Sequence, residues 1–243
     1  MGSEGATVVA YQQALRRSVH ATGVTLEVHY DFSGWARANA EAGRGPLTPV
    51  IDPGRVSIEP GRFFSVLGRD AEGRLSHLQC ARIVDLEAPN LGEHLITRRD
   101  LYCSPGLGID PWSSRVKSRV AGRLNGRAVY HGDLWIAPHW RQSDLAPRTV
   151  LFLMMEALRS WSPDFLFGFT LPVTSNRSFA QKIGYRDCEL DALAWHRGDG
   201  SWVRNEGFVW VERKTLMAHA KSRYGFPVDR SEARPFGERT VVG

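Results

Sequence analysis

The residues best suited to chemistry lie between Tyr130 and Arg186, and the first group is Trp135-Ile136-Ala137-Pro138-His139-Trp140-Arg141-Gln142-Ser143-Asp144-Leu145-Ala146-Pro147. An apolar strand end runs here into a polar loop that opens a helix. First-turn amides of a helix have no intrahelical partner, and the macrodipole favours negative charge beside them, so this form suits a phosphate. Arg141 adds a cation within the loop. Pro147 fits the first helical turn, where a missing N–H costs little. Asp144 has a plainer reading as the N-cap of that helix. Just upstream, His131 and Asp133 fall on one face of a strand by its two-residue period, and either could accept a proton. Their plainer reading is one solvated strand residue and one turn residue. His139, in the loop, is a weaker proton acceptor.

The elements that must position these groups follow from periodicity. Residues 127–136 read as a strand ending at Ala137-Pro138, and residues 149–161 as a helix stopped by Ser162-Pro163. Residues 164–171 form a short apolar strand closed by Pro172. Residues 176–183 suit a helix that ends on Gly184 at C′. Residues 185–195 and 207–211 supply two more strands, and residues 214–223 a terminal helix. Upstream, residues 7–20 carry Val8, Tyr11, Leu15 and Val19 at helical spacing, and residues 24–30 alternate as a strand. Residues 31–61 hold most of the Gly and Pro punctuation, with one short helix around 35–42. Two apolar runs, 63–67 and 75–86, flank a polar turn containing Gly68 and Gly73, which is the pattern of a hairpin. Residues 88–103 are mixed, and 104–122 is expected to be loop-rich.

Composition narrows the classes. The chain has 243 residues, 42% hydrophobic and 23% charged, enough for one large domain and too apolar for wholesale disorder. No apolar run approaches the roughly 20 residues needed to span a bilayer. The first five residues lack the form of a signal peptide, so a soluble cytoplasmic protein is expected. Cys80, Cys103 and Cys188 are widely spaced and odd in number, which suits reduced, buried thiols. The histidines show no ligand spacing, so no metal is expected. A net charge of +5 and a pI near 9.4 suit anionic partners. The absence of a basic cluster or zinc-finger spacing weighs against nucleic acid.

Residues 136–146 resemble the phosphate loop of the GNAT acyltransferase superfamily, V-x-P-x-x-R-G-x-G-[IL]-[GA]. The proline, the arginine and the Leu-Ala ending sit at matching offsets. Downstream, Asn176-Arg177-Ser178-Phe179-Ala180-Gln181-Lys182-Ile183-Gly184-Tyr185-Arg186 resembles that superfamily's S-x-x-x-x-x-K-L-G-F-R run, and residues 63–86 resemble its hairpin. The likeness spans roughly residues 60–212. It implies an α/β (α+β) fold with a mixed, mostly antiparallel central sheet flanked by helices. The expected organisation is an N-terminal extension (1–61), a GNAT-like core (62–213), and a C-terminal helix with a flexible tail (214–243). It further implies that acetyl-CoA or another acyl-CoA binds at Ile136, Arg141, Gln142, Ser143, Asp144, Leu145 and Ala146, with the Ile136 N–H holding the thioester oxygen. Direct attack by an amine, with Asp133 or His131 as the base, would complete the reaction.

Two departures stand out. Gln142 and Asp144 replace the loop glycines, which allow close approach of backbone to phosphate. Ala180 stands where many members carry a tyrosine acid, and Tyr185 reads as a core aromatic. Three functions therefore stay open: an acyl-CoA-dependent N-acyltransferase for a small-molecule amine or amino acid, a synthase taking acyl chains from acyl carrier protein, and a non-catalytic binding module. Trp35, Trp112 and Trp140 are candidate walls of an acceptor pocket, or ordinary core. Nothing in the sequence sets the oligomeric state.

Overall fold

The computed structural model describes residues 3–103, 107–171 and 177–224. Its elements in chain order are α1 (Ser3–His20), β1 (Thr25–His29), α2 (Phe32–Glu41), β2 (Phe63–Arg69), β3 (Leu75–Val84), α3 (Leu91–Thr97), β4 (Arg115–Val116), β5 (Ala128–Ile136), α4 (Leu145–Trp161), β6 (Phe165–Thr170), α5 (Arg177–Lys182), β7 (Asp187–His196), β8 (Trp202–Glu212) and α6 (Arg213–Tyr224). The strands form one sheet in the order β1-β2-β3-β5-β6-β8-β7-β4. Every neighbouring pair is antiparallel except β5 and β6, which are parallel. This is the mixed, mostly antiparallel sheet flanked by helices expected from the sequence.

The sheet divides two apolar cores. On one face α1, α4 and α6 bury Val8, Leu15, Leu153, Met154 and Leu216 against Phe64, Val129 and Leu166. On the other, α2, α3 and their connections cover Phe63, Leu78, Tyr130, Phe167, Phe208 and Trp210. Central strands covered on both sides need no polar face. Accordingly β3 is buried at every residue from Leu75 to Ala81, including Ser76, His77 and Gln79. The first 61 residues share in this packing: β1 pairs with β2, and α1 lies against α4.

Local chemistry accounts for most boundaries. Asp31 caps α2 by accepting from the Gly34 N–H at 2.9 Å. The β2–β3 turn is held by Asp70, whose Oδ1 accepts from the amides of Glu72 and Arg74, with Gly73 at φ +77°. Ser162 ends α4 in the left-handed region. Five elements differ from the sequence reading. α1 begins one turn before residue 7, α4 begins one turn before residue 149, β8 begins before residue 207, and β4 forms inside the expected loop. α3 occupies the mixed stretch, capped by Asn90, which accepts from the Glu93 N–H at 3.0 Å. Asn176, Pro172 and the expected flexible tail lie outside the described residues.

One polar group ties the helical layer together. Glu156 of α4 is 3% exposed and accepts from Gln12 Nε2 of α1 (2.5 Å), Tyr30 Oη (2.6 Å) and Ser160 Oγ (2.9 Å), as well as from Arg159. Glu156→Ala strands these donors and is expected to lower the unfolding free energy by about 2 kcal/mol. Urea denaturation measures this. An unchanged midpoint would mean that apolar contacts alone hold α1.

Candidate functional site

The parallel pair among the described strands, β5 and β6, also parts. β5 and β6 pair at Ala128↔Phe165, Val129↔Leu166 and Tyr130↔Phe167 and no further. Beyond that point β5 stays paired with β3 as far as Ile136↔His77, while β6 stays paired with β8 as far as Thr170↔Gly207. The sheet therefore opens into a fork whose vertex is at Tyr130 and Phe167. Gly168 sits at the vertex, where a Cβ would lie 2.5 Å from the main-chain oxygen of His131.

Past the vertex the facing edge of β5 has lost its strand partner. The Ala137 N–H donates to Ser76 O at 2.9 Å, which makes that pair a hydrogen-bonded one. By antiparallel alternation the N–H and C=O of Ile136 then project away from β3, into the fork. Arg141 Nε donates to Ile136 O at 3.2 Å, on that same side.

The chain passes from β5 to α4 through a short 3₁₀ turn at Pro138–Trp140 and the exposed residues Arg141 to Asp144. Gln142 has φ +70°, so it keeps the left-handed backbone that a glycine would adopt with less strain. Asp144 takes the N-cap position of α4 as expected, but its side chain makes no cap bond. Ser143 Oγ does the capping, accepting from the Leu145 N–H at 3.2 Å while donating to Trp140 O at 2.6 Å. Asp144 instead pairs with Lys182 at the end of α5, 3.4 Å away. That pairing offsets the carboxylate's charge beside the helix terminus. Among the described residues, the amides of Gln142, Asp144 and Ala146 have no hydrogen-bond partner. Loop amides, a helix N-terminus and Arg141 thus fall within one short stretch of chain, a donor set of the kind that fits a pyrophosphate.

His131 and Asp133 do not share a face, contrary to the strand-period expectation. The register of β3 with β5 slips between Leu78↔Trp135 and Cys80↔Gly132, leaving Asp133 and Leu134 to oppose Gln79 together. Such a bulge breaks the alternation. Asp133 takes φ +54° and turns to the α2 side, while His131 stays on the α4 side.

His131 is buried and its ring is fully engaged. Gln79 Nε2 donates to Thr149 O of α4 at 2.6 Å, so Gln79 Oε1 faces His131 Nε2 at 2.9 Å and must accept. The ring proton therefore sits on Nε2, and Nδ1 accepts from Tyr185 Oη. Burial pulls the His131 pKa down to about 4. Tyr185, read from sequence as a core aromatic, is 5% exposed; its hydroxyl reaches over Gly168, and burial raises its pKa.

Asp133 is held differently. Arg44, from the connection after α2, donates to its main-chain oxygen and, at 2.8 Å, to Oδ1; Thr48 Oγ1 lies 3.5 Å from Oδ1. Oδ2 is buried with no partner among the described residues. Desolvation raises the Asp133 pKa, and the Arg44 charge opposes it.

Of the candidate wall residues, Trp35 is fully buried in the α2-side core, Trp140 packs against the α4-side core, and Trp112 is 60% exposed beneath Arg99. His139 is exposed in the loop. Two surface cavities lie at the opposite end of β5 and β6, one bordered by Gly126 and Arg127 and the other by Asp164 and Phe165; neither borders the fork. No cluster of metal-ligating side chains occurs among the described residues, and no helix there is long and apolar enough to cross a membrane.

Sequence reasoning missed Arg44, Gln79 and Gly168. No local signal marks Arg44 or Gln79. For Gly168 the signal was present: a lone glycine inside an apolar strand often marks close approach of another backbone.

No family model and no curated protein matches the sequence. Among solved structures, the chain is similar to a spermidine N-acetyltransferase, SpeG, from Vibrio cholerae, at 6% identity over 82% of this chain and 99% of that one, with a TM-score of 0.48. It is similar to Arabidopsis thaliana NAA60 in complex with acetyl-CoA at 10% identity over 79% and 99%, with a TM-score of 0.42. The likeness to Mycobacterium smegmatis RimJ in complex with CoA-disulfide is 12% identity over 91% and 86%, with a TM-score of 0.38.

Proposed function

We propose that the fork between β5 and β6 binds an acyl-CoA and that the protein is an N-acyltransferase for an amine of a small molecule or amino acid. The observation that carries this reading is the unpaired edge of β5 leading straight into the amide-lined start of α4. A strand edge offers N–H and C=O groups to an extended, amide-bearing chain, as in β-strand addition. The loop amides and Arg141 then face the pyrophosphate of the same ligand.

The acyl-CoA supplies a thioester whose carbonyl carbon an amine attacks, forming the C–N bond and breaking the C–S bond. The residues do the rest. The Ile136 N–H, aimed into the fork, donates to the carbonyl oxygen. Asp133 Oδ2 takes the proton that the amine loses, and the departing sulfur gains one from solvent, giving an amide and free CoA. His131 has no free nitrogen for this task; it fixes the vertex instead.

Thermal-shift titration with acetyl-CoA, longer acyl-CoAs and free CoA tests the site, because a ligand of the native state must raise the midpoint. Arg141→Ala is expected to weaken binding roughly tenfold, the loss of one charge-assisted phosphate contact. No midpoint rise with any CoA species would remove the reading. Response to acyl carrier protein alone would make the carrier the donor, and CoA binding without turnover over a broad amine panel would favour a binding module.

A further inference from the structure

We infer that Arg44 is a positioning residue for the proposed transfer, fixing Asp133 so that Oδ2 is the one carboxylate oxygen left to take the amine proton. The inference rests on the reading above, but its physical core does not. Asp133 occupies a backbone region that non-glycine residues adopt at a cost, and such a conformation persists only where its surroundings hold it. Arg44 provides that hold from far along the chain. One guanidinium nitrogen binds the Asp133 main-chain oxygen and another binds Oδ1, so a single planar group sets both the bulge and the side-chain rotamer.

Four groups face this carboxylate. Arg44 and Thr48 come from the α2–β2 connection, Cys80 from β3, and Tyr130 from β5, with Glu206 of β8 acting on Tyr130 in turn. Arg44 is the only charge among the described residues that acts on Asp133 directly. Burial pushes the carboxyl toward its protonated form, which cannot accept, and the Arg44 charge opposes that push while Oδ2 stays unpartnered among the described residues.

The test needs no identified acceptor. In protein carrying ¹³Cγ-labelled aspartate, Asp133→Asn identifies the Asp133 carboxyl resonance. Arg44→Gln is expected to move the titration of that resonance at least about one pH unit higher than in wild type. Arg44→Lys keeps a charge without the planar fork, and is expected to recover part of that change even if Arg44→Gln folds poorly. A resonance that titrates identically in wild type and in both variants overturns the inference. The second arm follows CoA release from acetyl-CoA over a fixed panel of primary amines. Arg44→Gln is expected to lower kcat at least tenfold with KM for acetyl-CoA unchanged, and Arg44→Lys to restore part of kcat. A variant kcat equal to wild type likewise overturns the positioning role. A shifted resonance together with no CoA binding by wild type sinks the acyltransferase reading and, with it, the role in transfer, leaving only the Arg44–Asp133 coupling.

Discussion

Gly168→Ala is expected to destabilise the protein by about 3 kcal/mol or more, and to weaken any ligand held in the fork. The added methyl would meet the His131 main-chain oxygen at 2.5 Å and the Tyr185 hydroxyl at 3.5 Å. A flexible side chain could swing away from such a contact, but a backbone oxygen in the middle of a sheet cannot. β5 is paired with β3 on its far side, and β6 is paired with β8. Relief therefore requires β5 and β6 to separate, which would pull apart their short parallel ladder and move the vertex of the fork. Gly198→Ala is the control, because nothing lies within 4 Å of the added atom. Urea midpoints of the two variants measure the difference. Equal midpoints would show that β5 and β6 make room for the methyl without cost.

Much of this site is written locally in the sequence, and the rest depends on distant partners. The strand, loop and helix over residues 128–161 were legible because a two-residue period gives way to a helical one, with Pro138 and Pro147 as punctuation. The Gln142 position was legible as a departure from glycine, and the structure gives it the glycine-like φ all the same. The facing directions of His131 and Asp133 were not legible. Strict alternation presumes an even pleat, and the bulge opposite Gln79 belongs to the pairing of β5 with β3, not to either segment alone. The N-cap position of Asp144 was legible, but which side chain makes the cap bond was not: Asp and Ser are both good caps, Ser143 accepts from Leu145, and the Asp144 carboxylate lies by Lys182 of α5. Arg44 lies in a stretch whose Gly and Pro content announced only an irregular connection. α3, by contrast, could have been found, because Asn90 and Glu93 stand at capping-box spacing before it.

The polar row beneath α4 leads to the second large effect, a steep loss of stability between about pH 6.5 and pH 4. His77, Gln79 and His131 lie on the same side of the sheet, buried under α4, with burial as the main cause holding the His131 pKa at about 4 and the His77 pKa at about 3. The nearby His131 contributes to the His77 shift. Both values fall below the ordinary histidine value of about 6.5, so between these limits the unfolded chain binds protons that the native state refuses. Stability from this source is complete above about pH 6.5 and is lost as the pH falls toward the folded values. The full loss is on the order of 3 kcal/mol for His131 and somewhat more for His77. His131 cannot escape by exchanging partners, because Gln79 and Tyr185 are matched to its neutral Nε2–H form. Neither ring nitrogen of His77 meets hydrogen-bond geometry with a neighbour among the described residues, although Gln79 lies close enough to act on the ring, and His77→Leu removes the titrating group. Urea midpoints taken between about pH 7 and pH 4.5 should therefore fall steeply in wild type. In His77→Leu the slope should be shallower by up to about 1.4 kcal/mol per pH unit. A flat wild-type profile over that window would mean that water reaches these imidazoles and that the row under α4 is not closed.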